Sequence, residues 1–417
     1  MKKIIFCFVI CQFFMLNACA NRSKNVPVDD KVIKTLIFTS TETKHPTPTS
    51  TLVPSTSFPL VRSRSWKTIW LNDFPNNGRL LAIRQGLENE YWFLSDNTLV
   101  LFSKQGKTKT FNLQEILECF DCQNILNGTL VIGQTNDVWI GLSSGLLVVH
   151  NNGDWERFLT QDIIQVKSNS TEVRALLSDQ EGNIWVSSTN MLCSFNNASW
   201  QCSSLDNLIE NYYAENAHNY LDEIISATLG KDEEIWFGTK EGKIILFDDE
   251  KFHIDTLPKD NYLHNIGDMA FDTTSDTIWA VSLDIPDCKE GLLTETSGVI
   301  FKESKNEWYS FNLSLFADKD EHLCYYPLRS ITVTPDGTVW LGMMYRHGLV
   351  YYNGANWSTI NGEMLPFFCS SCPRHSDESL CGLHDCYIVD LLVTHDGRLL
   401  VANRFGVFEY LDASLTN

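Results

Sequence analysis

One phrase returns several times along this chain, and it limits the folds that the sequence can adopt. It reads EIWFGTKEGKIILFDD at 234–249, DVWIGLSSGLLVVHNN at 137–152 and TVWLGMMYRHGLVYYNG at 338–354. In each copy two short apolar runs flank a glycine-containing turn, which is the pattern of a β-hairpin. Because self-similarity at a regular spacing is the signature of a repeat architecture, the chain should fold as a series of equivalent small units.

Alignment of the phrase on its tryptophan finds seven units. The anchor positions are Trp92, Trp139, Trp185, Trp236, Trp279, Trp340 and, in a unit without the tryptophan, Leu400. An apolar run precedes each anchor and an aromatic-led run follows most of them, so each unit holds four short strands. Units of four strands at intervals of 43 to 61 residues predict an all-β fold, a seven-bladed β-propeller, rather than a solenoid or a sandwich.

The strands are apolar at both alternating positions, as in Ile235, Trp236, Phe237 and Gly238. A sheet covered on both faces requires this pattern, and each blade of a propeller is covered by its two neighbours. We therefore interpret the anchor tryptophans as packing residues between blades rather than as ligand-binding residues.

The seventh unit is one strand short at the C-terminus, and the missing strand is predicted upstream. The segment SWKTIW at about 65–70 has the aromatic-led form of a fourth strand, yet no blade precedes it. Pairing it with the strand at 406–411 would close the ring and remove two unpaired sheet edges. The closing blade is therefore expected to combine this N-terminal strand with the C-terminal strands at about 388–412.

The repeat also carries a family resemblance. TPDGTVWLGMMYRHGLVYYNGANW at 334–357 and, more loosely, TNDVWIGLSSGLLVVHNNGDW at 135–155 resemble the two-component regulator propeller repeat. The resemblance covers most of residues 65–413. It implies a sensor of the kind found in the exported half of hybrid histidine kinases, where such propellers recognise carbohydrates. The chain has no kinase, receiver or helix-turn-helix segment, so signal transfer by this polypeptide alone is not expected.

The N-terminus has the layout of an export signal. Two lysines precede an apolar run that is too short to span a membrane, and LNAC at Leu16–Cys19 resembles a bacterial lipobox. Residues 1–18 are therefore predicted to be a lipoprotein signal peptide, with Cys19 as the lipidation site and a lipid anchor in the bacterial cell envelope. The alternative is a plain secretory signal cleaved near Ala18. Residues 19–62 form a Thr/Ser/Pro-rich tether, and residues 63–417 form the propeller.

The long insertions are predicted to lie on one face of the ring. Segments 113–127, 204–223, 283–297, 312–328 and 361–387 follow the second or fourth strand of a blade, whereas the opposite turns are short. We call these the elaborated face and the plain face. Long loops on a rigid scaffold commonly carry binding. The ligand-binding candidates in these loops are Tyr212, Tyr213, Tyr220, Tyr325, Tyr326, Phe367, Phe368, Arg346 and His347. Aromatic rings beside polar groups suit a glycan or a partner protein, although each ring could instead pack its own loop.

The mature chain would keep ten cysteines, an even number that favours disulfides in an exported protein. Cys193 and Cys202 flank the turn of a hairpin in positions that allow a cross-strand bond. Cys288 and Cys324 lie in two insertions of one face, and Cys119 and Cys122 form a CFDC pair that could alternatively be redox-active. The last four are Cys369, Cys372, Cys381 and Cys386. They could bind zinc, but two disulfides of undetermined pairing are favoured, so no metal and no cofactor are predicted.

The net charge and the absence of known catalytic motifs exclude several classes of function. The formal net charge is −20, from 52 Asp and Glu against 32 Lys and Arg, which disfavours nucleic acid as a partner. No nucleophile elbow, HExxH motif or phosphate-binding glycine loop is present. The sequence therefore predicts a membrane-anchored, extracytoplasmic, non-enzymatic propeller that binds a ligand or senses it. The alternative is a polysaccharide-active lyase or hydrolase, with acid–base candidates at Asp284, Glu321, His322 and His347.

Overall fold

The structure is a computed structural model, and every residue that it describes lies within Phe38–Asn417. The described residues are 66–71, 80–87, 90–96, 98–103, 108–117, 129–151, 153–164, 172–188, 191–196, 199–205, 222–248, 251–255, 264–283, 298–302, 308–312, 328–343, 348–360, 388–403 and 406–411.

These residues form seven four-stranded antiparallel sheets, which we number as blades 1 to 7. Blade 1 contains β2 (Leu80–Gln85), β3 (Tyr91–Ser95), β4 (Thr98–Phe102) and β5 (Thr108–Asn112). Blade 2 contains β6 (Thr129–Ile132), β7 (Val138–Gly141), β8 (Leu146–Asn151) and β9 (Asp154–Leu159). Blade 3 contains β10 (Val173–Ser178), β11 (Ile184–Ser188), β12 (Met191–Phe195) and β13 (Trp200–Ser204). Blade 4 contains β14 (Ile224–Leu229), β15 (Ile235–Thr239), β16 (Ile244–Asp248) and β17 (Lys251–Asp255).

The remaining blades follow the same order. Blade 5 contains β18 (Ile266–Asp272), β19 (Thr277–Ser282), β20 (Gly298–Lys302) and β21 (Trp308–Asn312). Blade 6 contains β22 (Leu328–Val333), β23 (Val339–Met343), β24 (Leu349–Tyr352) and β25 (Trp357–Ile360). Blade 7 contains β26 (Ile388–Val393), β27 (Leu399–Asn403), β28 (Gly406–Tyr410) and the N-terminal strand β1 (Trp66–Leu71).

The first strand of each blade lies innermost, and these strands close a ring. Contacts join β2 to β6, β6 to β10, β10 to β14, β14 to β18, β18 to β22, β22 to β26 and β26 back to β2. Full closure leaves no sheet edge at the centre of the assembly. The predicted seven-bladed β-propeller is therefore confirmed.

Blade 7 closes the ring as the sequence predicted. β1 pairs antiparallel with β28, and Trp66 lies directly opposite Tyr410. Their ring centroids are 4.9 Å apart. Beside them Lys67 Nζ donates to Glu409 Oε2 at 3.1 Å, and the Glu409 side chain is only 5 % exposed. The two ends of the propeller are thus held together by backbone pairing, aromatic contact and an ion pair.

The anchor residues pack between blades. Five anchor tryptophans and Leu400 are buried, and Trp185 is half-buried. Each tryptophan contacts the following blade: Trp92 with His150, Trp139 with Phe195, Trp185 with Phe247, Trp236 with Lys302, Trp279 with Tyr352 and Trp340 with Tyr410. The packing role predicted for the repeated tryptophan is therefore correct.

Close packing of consecutive blades explains why glycine stands two positions after the tryptophan. A Cβ added to Gly238 would come within 2.5 Å of Ile266 Cγ2, the first residue of the next blade. Gly342 stands in the same relation to Ile388, at 2.6 Å. The repeated W-x-G therefore encodes the close approach of consecutive blades, because only glycine leaves room for the next inner strand.

Two short helices follow outer strands, α1 (Leu113–Leu117) after β5 and α2 (Thr160–Ile164) after β9. Within the described part of the chain, no helix combines the length and the apolar composition that a membrane-spanning helix needs.

Candidate functional site

The strand order assigns every connection to one end of the ring. Connections after second and fourth strands leave from one end, and those after first and third strands leave from the other. At blade 4, Lys240 N donates to Glu223 O at 2.9 Å and Asn265 N donates to Lys240 O at 2.6 Å. Lys240 lies in the turn between the second and third strands, and its two partners directly precede the inner strands β14 and β18. The connections after second strands and those after fourth strands therefore lie at the same end of the ring, which is the elaborated face.

The strands that flank the long connections end and begin at this face. The long connections comprise 113–128, 205–223, 283–297, 313–327 and 361–387, and each follows a second or a fourth strand. The first-to-second-strand turns of the plain face span only a few residues each. A ring built from equivalent blades does not require this asymmetry.

The turns of the plain face hold one another. Leu87 N donates to Asn136 Oδ1 at 3.0 Å, which joins blade 1 to blade 2. Lys231 Nζ pairs with Asp276 Oδ2 at 3.1 Å, between blades 4 and 5. His395 N donates to the buried Gln85 Oε1 at 2.7 Å, between blades 7 and 1. These contacts join plain-face turns of neighbouring blades and stabilise the ring.

Within one plain-face turn, Asp179 explains the D-x-x-G-x-I-W form of the repeat. Its Oδ1 accepts from Asn183 N at 2.7 Å, and its Oδ2 accepts from Trp185 Nε1 at 2.8 Å. Trp236 Nε1 finds an equivalent acceptor in Glu234 Oε2 at 3.1 Å. The acidic residues of this turn therefore stabilise the turn and orient the anchor indole.

The inner strands, which form the inner wall of the ring, contain β-bulges at their elaborated-face ends that the sequence did not reveal. Six of the seven inner strands carry a register shift just after their first residue. The residues at the shift are Leu81, Arg174, Ile225, Gly267, Arg329 and Val389. A β-bulge adds one residue to a strand and redirects its side chain, and bulges are common beside functional sites.

Arg174 begins a charged cluster between blades 3 and 4. Its Nη2 lies 3.0 Å from Glu172 Oε2 and 3.3 Å from Glu223 Oε2. Lys240 Nζ lies 3.5 Å from the same Glu223 oxygen. Two cations and two carboxylates thus stand where the inner strands begin, and they present polar groups to anything that enters from the elaborated face.

Two aspartates follow the bulge in blades 5 and 7. Asp268 Oδ2 accepts from Ile331 N at 2.9 Å, and Asp390 Oδ2 accepts from Ile83 N at 2.9 Å. Each carboxylate therefore bonds the inner strand of the next blade. Arg84 Nη1 also donates to Asp390 Oδ2 at 2.6 Å.

Asp268 has the most strongly altered acidity among these groups. The residue is partly buried, and its carboxylate accepts hydrogen bonds from Ile331 N and Met269 N. Loss of hydration raises its pKa to about 7, and the negative charge of Asp390 adds to the rise.

The sequence missed Asp268, Asp390, Arg84 and Arg174 as candidate functional residues. The signal was an acid at the third position of two mostly apolar inner strands, IGDMAFD and IVDLLV. It becomes visible only when the inner strands are aligned with each other. The same position holds Ala82, Ala175, Ser226 and Ser330 in other blades.

The ligand candidates from the sequence remain predictions. Tyr212, Tyr213, Tyr220, Tyr325, Tyr326, Phe367, Phe368, Arg346, His347, Asp284, Glu321, His322 and the lipidation site Cys19 all lie outside the described residues. Among the residues that are described, no group of three or more His, Cys, Asp or Glu side chains could hold a metal ion.

One predicted cysteine pair is confirmed. Cys193 and Cys202 form a disulfide across β12 and β13, where they are direct register partners with Cα atoms 4.1 Å apart. The other candidates, Cys119, Cys122, Cys288, Cys324, Cys369, Cys372, Cys381 and Cys386, fall outside the described ranges.

The resemblance carried by the repeat is confirmed by a family comparison. Residues 167–190 match the family described as two component regulator propeller. This segment contains the first-to-second-strand turn of blade 3 and its anchor, Trp185. A comparison with curated proteins found no match.

Solved propellers share the fold at low sequence identity. Virginiamycin B lyase from Staphylococcus aureus is 10% identical, with a TM-score of 0.59 and coverage of 84% of this chain and 100% of that one. The extracellular domain of a putative hybrid two component system from B. thetaiotaomicron is 16% identical, with a TM-score of 0.54. That match covers 83% of this chain and 40% of the other. YCF48 bound to D1 peptide is 12% identical, with a TM-score of 0.53 and coverage of 87% and 99%.

Proposed function

We propose that this protein is an exported propeller lipoprotein that binds or senses a ligand through its elaborated face. The observation that carries the proposal is the asymmetry of the ring. Its long connections leave from one end, while the turns at the other end are short and braced against one another. A rigid scaffold with variable loops at one end is the usual arrangement of a binding protein.

The position of β1 supports an outward orientation of this face. As the fourth strand of blade 7, β1 begins at the plain face and ends at the elaborated face. A tether at 19–62 that leads to Trp66 would reach the ring at its plain face.

Export is supported by the signal-like N-terminus and by the family match. The extracellular domains of two-component systems from B. thetaiotaomicron share the propeller fold. A disulfide between Cys193 and Cys202 suits an oxidising compartment outside the cytoplasm. The acidic chain, with a formal net charge of −20, is poorly suited to nucleic acid.

The ligand class we propose is a glycan or a partner protein. The loop aromatics named above would offer flat apolar surface, and the charged cluster around Arg174 would offer directional hydrogen bonds. Sugars use both kinds of contact, and so do protein segments. A bound peptide in one propeller of the same fold is an instance of the second class.

A polysaccharide-active enzyme is the alternative. Carboxyls on the inner strands could serve as acid and base groups, and the streptogramin B and virginiamycin B lyases among the structural neighbours are enzymes with this fold. Catalysis would require an acid and a base that converge on one substrate bond. Binding without chemistry requires only the contact surface, and we therefore favour binding.

A single screen separates these functions. The purified protein is mixed with a panel of oligosaccharides, and thermal stability and reaction products are both measured. A rise in the melting temperature without product supports glycan binding, and product formation supports the enzyme. If neither occurs, the protein-partner form of the proposal is tested by cross-linking at the cell envelope. Capture of partners that contact only the plain face would contradict the proposed site.

A further inference from the structure

Four charged side chains meet where blades 3 and 4 adjoin at the elaborated face. Arg174 Nη2 lies 3.0 Å from Glu172 Oε2 and 3.3 Å from Glu223 Oε2, and Lys240 Nζ lies 3.5 Å from that same Glu223 oxygen. Glu172 and Arg174 flank Val173, the first residue of β10. Glu223 directly precedes β14, and Lys240 lies in the turn between β15 and β16. We call Glu172, Arg174, Glu223 and Lys240 the blade 3–4 cluster.

The equivalent positions of other blades show that charge is not part of the common blade pattern here. Arg174 is the residue at the bulge of β10. The bulge residues of blades 1, 4, 5 and 7 are Leu81, Ile225, Gly267 and Val389. Neighbouring blades therefore meet at this height with apolar residues or glycine. The blade 3–4 cluster is an addition that ring closure does not require.

The ion pairs of the cluster leave hydrogen-bonding groups available. Charge-assisted hydrogen bonds between nitrogen and oxygen are usually about 2.7 to 2.9 Å long. Arg398 Nε meets this distance, at 2.9 Å from both carboxylate oxygens of Asp396. In the cluster, by contrast, one nitrogen of Arg174 is shared between two carboxylates at 3.0 and 3.3 Å. The described part of the chain supplies no well-aligned hydrogen-bond partner to the buried Arg174 Nε or to Glu223 Oε2. A donor and an acceptor thus lie side by side.

Asp222 fixes the position of the cluster. Its side chain is 1 % exposed, and its Oδ2 accepts from Lys243 Nζ at 2.9 Å. Its Oδ1 accepts from Glu241 N at 3.1 Å. These bonds tie the turn that carries Lys240 to the segment that carries Glu223, and Lys240 N also donates to Glu223 O at 2.9 Å. Because the groups are held in place before a ligand arrives, binding costs less conformational entropy.

The charges of the cluster select against charged ligands. Two carboxylates balance two cations, and Glu241 adds an exposed acidic side chain to the same turn. An anionic ligand therefore meets no excess of positive charge, in a chain whose formal net charge is −20. A cationic ligand meets Lys240, which is 50 % exposed and the most accessible of the four side chains.

We infer that the blade 3–4 cluster binds the hydroxyl groups of a neutral glycan. The inference rests on the proposed function and makes its glycan form more specific. A hydroxyl group both donates and accepts hydrogen bonds, whereas guanidinium and ammonium groups only donate and carboxylates only accept. Neighbouring hydroxyls of one sugar ring can therefore donate to Glu223 and accept from Arg174 at the same time. A few fixed polar groups of this kind orient a small ligand in its site.

Two panels of oligosaccharides test the inference. The first contains neutral hexamers of glucose, mannose, galactose and xylose, and the second contains hexamers of galacturonate and mannuronate. Calorimetric titration of the purified protein should detect binding of at least one neutral hexamer. Arg174→Met and Glu223→Gln should each weaken that binding by roughly ten-fold or more, because each removes hydrogen bonds to a charged group. Glu223→Gln also removes a negative charge with little change of shape, so it should bind the uronate hexamers more tightly than the wild type does.

Lys231→Met is the matched control. Lys231 forms an ion pair of the same kind between blades 4 and 5, at 3.1 Å from Asp276 Oδ2, but on the plain face. Its sugar binding should equal that of the wild type. Melting temperatures of all three variants separate loss of contacts from loss of fold, since a role confined to stability would lower the melting temperature without changing the preference between neutral and uronate sugars.

The failures of the inference and of the proposed function can be told apart. Wild-type affinity for a neutral hexamer in both cluster variants would overturn the site and leave the proposed function intact. Binding of uronate hexamers alone by the wild type would overturn the ligand class. If the wild type binds neither panel, the neutral-glycan inference is wrong, and the protein-partner form of the proposed function is then decided by cross-linking.

Discussion

At the residue scale, the indole of Trp236 contacts both the next blade and a turn of its own blade. Trp236 is 6 % exposed, and Lys302 of blade 5 lies 5.6 Å from its ring centroid. Its Nε1 donates to Glu234 Oε2 at 3.1 Å on the plain face. Burial in turn raises the pKa of Glu234. One side chain thus fills the space between blades and fixes the turn that precedes its own strand.

Trp236→Ala should destabilise the ring by roughly 3 to 5 kcal/mol, since it empties a large buried site. Trp236→Phe keeps most of the volume and loses the hydrogen bond to Glu234, so it should cost clearly less. Urea unfolding of both variants measures the difference. Equal losses for the two substitutions would show that the hydrogen bond, rather than the packing, dominates.

His150 predicts that the stability of the protein depends on pH. It packs 5.8 Å from Trp92 and 4.7 Å from Trp155, between ring centroids. Burial lowers its pKa below the usual 6.5, and the charge of Lys109 lowers it further. Its stabilising effect is therefore present above pH 6.5 and is lost as the pH falls through that value.

His150→Phe should remove this loss. The variant should gain stability relative to the wild type as the pH falls from 8 to 5, and thermal melting across that range measures it. Parallel curves for the two proteins would contradict the assignment.

At the element scale, two strand pairs stabilise the molecule by different means. β1 and β28 join segments from opposite ends of the propeller, whereas β12 and β13 are neighbours in sequence that a disulfide joins. The first pair is needed for closure of the ring. The second stabilises a hairpin that backbone hydrogen bonds already hold.

Glu409 should matter more than Lys67 at the closing blade. Lys67 is 58 % exposed, so Lys67→Ala should cost less than about 1 kcal/mol. Glu409 is 5 % exposed and also lies 3.3 Å from Arg398 Nη1. Glu409→Ala leaves Arg398 short of one partner and should cost about 2 to 4 kcal/mol. Chemical unfolding of both single variants gives the comparison, and a larger loss in Lys67→Ala would reverse this ranking.

Loss of the Cys193–Cys202 disulfide should cost roughly 2 to 3 kcal/mol, because it closes only a short loop. The double variant Cys193→Ala with Cys202→Ala should keep the fold. Its unfolding midpoint is compared with that of the wild type under non-reducing conditions. In the wild type, alkylation before reduction, measured by mass spectrometry, should modify neither cysteine. Free thiols at these positions would refute the bond.

At the scale of the whole molecule, the two faces should respond differently to substitution. Tyr213→Ala, Tyr326→Ala and Phe368→Ala should weaken ligand binding and leave the melting temperature nearly unchanged, because loop aromatics contribute contact area rather than blade packing. Leu87→Ala is the control, since Leu87 is a plain-face residue that is 50 % exposed. Loop variants that unfold as readily as Trp236→Ala would show that the insertions cover the blades.

The sequence by itself determined the number of blades, the closing strand, the role of the anchor tryptophans and one disulfide. All four were predicted from short sequence patterns that lie within single repeat units. Trp236 and Gly238 repeat because every blade meets its neighbour in the same way, and Cys193 pairs with Cys202 across a single hairpin.

Only the tertiary structure decided what lines the inner wall. Asp268 bonds Ile331, 63 residues away, and Asp390 bonds Ile83 at a separation of 307 residues. Each aspartate lies in a mostly apolar strand, and no local sequence pattern indicates which strand packs beside it. Ring closure brings Arg84 to Asp390, because proximity across the ring depends on the order of the blades and not on distance along the chain.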